Sequence, residues 1–95
     1  MKISELPKFD AAELLNSAEA IGYFLEEAFE TDDPQFIAQA LGVVARAKGM
    51  TEVAKKTGLT RESLYKALST EGNPEFATVL KVLGALNLRF AVRAA

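Results

Sequence analysis

Apolar residues recur along this chain at helical spacing from position 16 onward, and at strand spacing only near its end. Ile21, Phe24, Leu25, Ala28 and Phe29 follow the i, i+3, i+4, i+7, i+8 rule, which predicts an amphipathic helix. It starts at Asn16 or Ser17, since Asn16 and Glu19 have capping-box spacing, and its outer face carries Glu26, Glu27 and Glu30. Thr31-Asp32-Asp33-Pro34 ends it and opens the next helix, with Asp33 suited to the N-cap and Pro34 to the first helical position. Phe36, Ile37, Ala40, Leu41 and Val44 repeat the apolar stripe. Arg46 and Lys48 fall in the last turn, where cations favour the helix dipole, and Gly49 fits the residue just past the end. A short helix follows over about Met50–Thr57, with Val53 and Ala54 inward, and Gly58 interrupts it. Thr60 caps a further helix reaching about Ser69. Turn formers fill residues 70–74, and Pro74 opens a last helix whose inner stripe is Phe76, Val79, Leu80 and Leu83, extending to Leu86.

The two ends are patterned differently. Residues 1–15 are weakly patterned: Asp10 suits the cap of a short turn over 11–15, and residues 2–6 are a faint strand candidate. In the tail, Leu88, Phe90 and Val92 alternate with Arg89, Ala91 and Arg93, which predicts a short strand over 88–95. A lone strand needs a partner edge, and the simplest is the same strand of a second copy across a two-fold axis. Leu88, Phe90 and Val92 are then the dimer residues; the alternative is a disordered or helical tail. The expected fold is all-α, with five helices, an N-terminal helical extension and a short C-terminal strand. One domain of 95 residues is expected, divided into an acidic segment (1–33), a helical unit (34–87) and the tail (88–95).

Composition removes several kinds of chemistry. The chain has no cysteine and no histidine, hence no thiolate, no disulfide and neither the commonest general base nor the commonest metal ligand. Neither an enzyme nor a cofactor is expected. Without an apolar run of about 18 residues no membrane span is expected, and without a signal-like N-terminus the expected location is cytoplasmic. The net charge of −2 conceals a division: residues 1–33 carry two basic and nine acidic residues, and residues 34–95 carry nine basic and four acidic. Such asymmetry suits two surfaces with different partners, or an acidic coat on a solvated helix.

The segment from Thr51 to Ser69 meets the requirements of a helix-turn-helix in register. Ala54 is the small residue inside the first helix and Gly58 the turn residue with positive φ. Leu59 plugs the angle between the helices, Thr60 caps the second, and Leu64 and Leu68 bury its inner face. The second helix is then the reader of DNA, with Arg61, Glu62, Ser63, Tyr65 and Lys66 outward. Arg61 and Lys66 can donate to guanine edges or phosphates, and Glu62 can accept from a cytosine amino group. Tyr65 can stack on a sugar, touch a thymine methyl or pack on the helix edge. Thr60 and Ser63 suit a phosphate at the helix start, and Lys48, Lys55 and Lys56 suit flanking phosphates. Ser63-Leu64-Tyr65-Lys66 also matches the Ser-x-x-Lys nucleophile pattern, but the companion motifs are missing.

With these residues placed, the chain resembles the addiction-module antidote proteins, the HigA-type antitoxins with a lambda-repressor-like helix-turn-helix. The resemblance is carried by residues 49–54, by Gly58 to Ser69 and by Gly72 to Leu83, and extends more weakly to Glu19–Tyr23. It implies a dimeric repressor that binds double-stranded operator DNA at its own operon and neutralises a co-encoded toxin, usually a small basic ribonuclease of the RelE/ParE type. Glu26, Glu27 and Glu30 are the expected toxin contacts. The alternatives are a stand-alone regulator of the same fold without a toxin, and a helical adaptor that binds only protein.

Overall fold

The computed structural model describes residues 17–95, which form five helices and no strand among the described residues. Helix α1 (Ala18–Glu30) begins at Ser17, whose hydroxyl accepts from the Ala20 amide at 3.1 Å. Of the two caps the sequence allows, the used one is therefore Ser17; Asn16, the turn at 11–15 and the strand candidate at 2–6 lie outside the described residues. At the far end Asp32 takes a left-handed φ of 55°, and Asp33 caps α2 (Pro34–Lys48) by accepting from the Gln35 and Phe36 amides. Gly49 closes α2 by donating to the Ala45 carbonyl, and α3 (Met50–Thr57) starts directly after it.

Helix α4 (Arg61–Ala67) is shorter than its pattern predicts. Leu68 caps it, and the Ser69 hydroxyl folds back to donate to the Lys66 carbonyl at 3.0 Å, so the residues after Leu68 make turns instead. Helix α5 (Phe76–Ala85) starts two residues later than expected. Glu75 approaches it in extended form at the cap position but makes no side-chain cap bond.

Helix α1 packs on α2, α2 on α3 and α4, and α3 on both α4 and α5. Leu41, Val44, Val53, Leu64, Leu68, Val82 and Leu86 are the fully enclosed centre. Burying one such side chain contributes roughly 1.5–3 kcal/mol, so this cluster is the main source of stability. The expected stripes of α1 and α4 turn inward as the periodicity requires, with Phe24 and Phe29 only half-buried. In α2, Phe36 stays exposed, while Ala38 and Ala45 are buried instead.

A further expectation is corrected. In α5 the inner face is Val79, Val82, Leu83, Ala85 and Leu86, while Phe76 and Leu80, expected inside, remain 63% and 42% exposed. The helix is apolar almost all round, so spacing alone does not select a face. Within the single chain the tail forms no strand among the described residues. Instead α5 ends in a Schellman motif: Asn87 is left-handed at φ 62°, its amide donates to Gly84, and the Leu88 amide donates to Leu83 at 2.9 Å. This reversal packs the half-buried Leu88 against the core and α1. Phe90 follows, edge-on to both Phe29 and Phe76 at 5.8 Å, and Arg93 reaches Glu26 at 3.8 Å.

Candidate nucleic-acid interface

The turn between α3 and α4 is built from three consecutive residues. Gly58 sits at φ 76°, a left-handed conformation that costs a residue with a Cβ about 1 kcal/mol or more. Its amide donates to the Ala54 carbonyl, which ends α3. Leu59 is half-buried against the core at the angle between the helices. Thr60 is extended, and its hydroxyl accepts from the Ser63 amide at 3.1 Å, while the Ser63 hydroxyl donates back to the Thr60 carbonyl at 3.0 Å. The Ser63 hydroxyl thus donates its proton in starting α4, whereas the Thr60 hydroxyl only accepts there and keeps its own proton for a phosphate oxygen.

Thr57 is the residue that spacing did not single out. It is buried, and its hydroxyl donates to the Val53 and Ala54 carbonyls at 2.8 and 3.2 Å. The same oxygen accepts from the Leu59 amide at 3.3 Å, which bridges the end of α3 to the plug residue. A polar residue at an inward position of a short helix, directly before glycine, is the signal that could have found it.

The outer face of α4 presents Arg61, Glu62, Ser63, Tyr65 and Lys66 together, all exposed, while Leu64 is fully buried beneath. The Arg61 guanidinium lies over the Tyr65 ring, 5.8 Å from its centroid. Of the three roles open to Tyr65, packing on its own helix is thus realised, and it steadies a long flexible cation. Lys48, Lys55 and Lys56 are exposed at the ends of α2 and α3. Lys56 is paired with Glu52 at 3.5 Å, an exposed pair one helical turn apart. Lys55 has no such pair among the described residues.

A shallow groove of about 380 Å³ runs beside α4, lined by Ser63, Lys66, Ser69, Glu71 and Asn73 among others. Ser69 and Asn73 join the face only through the loop after α4, so helical periodicity could not include them. On α1, Glu26, Glu27 and Glu30 are exposed, and beside them a groove of about 700 Å³ separates α1 from the tail. Of the expected dimer residues, Leu88 is half-buried against its own core, whereas Phe90 and Val92 are exposed. No helix among the described residues is long and apolar enough to cross a membrane.

A family model described as "Probable addiction module antidote protein" matches residues 5–94. An uncharacterized protein of Haemophilus influenzae is 51% identical over 89 residues, which span 94% of this chain and 92% of that protein. No solved structure matches the chain.

Proposed function

This chain belongs to the family of probable addiction module antidote proteins, a family of antidotes and not of enzymes; from that premise we propose that it is the antitoxin of a type II module and the repressor of its own operon. The observation that carries the DNA half is the face of α4. A short, capped helix follows a three-residue turn, its apolar side is locked by Leu64 and Leu68, and its other side offers Arg61, Glu62, Tyr65 and Lys66 to solvent. These are the groups that read base edges in a major groove. Arg61, steadied by Tyr65, and Lys66 select guanines, and Glu62 accepts from cytosine. Lys55, with Lys48, contacts phosphates; Lys56 must first exchange Glu52 for a phosphate. Two copies place two such helices in successive major grooves about 34 Å apart.

The antidote half falls to α1. Glu26, Glu27 and Glu30 form an exposed acidic face with no cation in the helix itself, which suits a basic toxin of the RelE/ParE type. Here Glu26 already has Arg93 as a neighbour, so a toxin cation competes with the tail for it.

Binding to promoter DNA at several salt concentrations tests the DNA half. Arg61→Ala should weaken specific binding by about 10–100-fold and leave binding to random DNA nearly unchanged. Lys55→Ala should weaken both equally and lower the salt slope by about 1. Equal losses for Arg61→Ala on both DNAs would remove it from the reading surface.

A further inference from the structure

The outer face of α5 is apolar where an exposed helix should be polar. Phe76, Ala77, Leu80 and Gly84 are all exposed along it, and Lys81 is the one charged residue of the helix. A helix apolar on both sides is ordinarily covered on both. The face continues onto the tail through the Phe76–Phe90 edge contact, and Val92 beyond it is 85% exposed.

We propose that this face docks a second copy of the chain, with α5 laid antiparallel on the partner's α5 about a two-fold axis at Leu80. This deepens the dimeric repressor proposed above and moves its interface from a paired tail strand to α5.

Area, shape and charge each point to a second copy. At about 200 Å² for a large apolar side chain, the exposed parts of Phe76, Leu80, Phe90 and Val92 amount to roughly 450 Å². That is about half of the ~800 Å² per partner buried in a stable interface, and the small exposed residues Ala77, Gly84 and Ala91 lie among them. Phe76 and Gly84 stand four residues on either side of Leu80. Antiparallel pairing about Leu80 therefore seats each Phe76 over the other copy's Gly84, where an added side chain would meet nothing within 4 Å in the monomer. The other proposed partners fit poorly: a basic toxin asks for carboxylates and the face has none, while DNA asks for several cations and α5 holds one lysine, the tail's Arg89 and Arg93 lining the groove toward α1.

Sedimentation equilibrium of the full chain, without DNA or toxin, tests the proposal. The wild type should have twice the 10.3 kDa chain mass. Leu80→Glu and Leu80→Lys each place like charges face to face at the axis, and each should weaken dimerisation by at least about 100-fold. An equimolar mixture of the two should regain the dimer. Gly84→Arg, which the monomer accommodates, should also weaken the dimer while its helical circular dichroism stays at the wild-type level. A monomeric wild type, a dimer that survives both Leu80 variants, or a mixture that stays monomeric overturns the proposal. Neither DNA nor toxin enters the measurement, so its outcome is independent of operator binding, which the Arg61 experiment decides.

Discussion

Thr57 illustrates how one hydroxyl determines local geometry. Its two donations tighten the last turn of α3, and its acceptance from the Leu59 amide carries the chain around Gly58 with a buried polar group satisfied. Thr57→Val keeps the shape and removes all three bonds. It should lower the unfolding free energy by about 1–2 kcal/mol, because the Leu59 amide loses its partner in a half-buried place. Urea denaturation should show the midpoint falling with an unchanged slope. At this scale the turn was largely legible: Gly58, Leu59 and Thr60 each have one residue type suited to one backbone task. Thr57 was legible only in part: it stands four residues after the inward Val53, but threonine is also common on exposed helix faces, and only the folded turn brings its hydroxyl to the Leu59 amide.

At the scale of elements, close approach separates glycines that look alike in sequence. Gly42 lies inside α2 where the Leu68 carbonyl of the α4 cap comes so near that a Cβ would collide with backbone. Gly22 lies inside α1 where a Cβ would touch only the Leu88 side chain at 3.6 Å, an ordinary contact. Gly42→Ala should therefore destabilise by about 1–3 kcal/mol despite its better helix propensity. Gly22→Ala should stabilise by about 0.5–1 kcal/mol. Thermal unfolding of the two variants should move in opposite directions from the wild type; shifts of the same sign would refute the packing argument. The helices themselves were readable from apolar period and caps, as Asp33 with Pro34 and Thr60 show. The faces were readable only where one side is polar. Helix α5 lacks that contrast, so its rotation about its own axis depended on what α3 offers it.

Across the whole molecule, charge is divided by position along the chain, and the acidic residues of α1, which packs on α2, stay exposed. If α1 is the toxin surface, replacing Glu26, Glu27 and Glu30 together by glutamine should weaken toxin affinity at least about 10-fold. The same variant should keep its preference for operator over random DNA, since it alters no group on α4. Titration calorimetry with the toxin and promoter binding check the two halves; an unchanged toxin affinity would exclude α1. The tail also belongs to this scale. Its alternation suggested a strand, but the Schellman turn at Asn87 sends Leu88 inward and lays Phe90 between Phe29 and Phe76.

What the sequence by itself determined was local: the order of helices among the described residues, most of their caps, the glycine turn and the residues that line the outer side of α4. These follow from backbone preferences and from one-sided burial, which act over a few residues at a time. The tertiary structure alone decided that Phe76 and Leu80 face outward, that Leu88 packs against the core, and that Thr57, Ser69 and Asn73 join the site through turns. Those outcomes depend on which distant surfaces meet, and residues far apart in the chain have no shared period from which to read it.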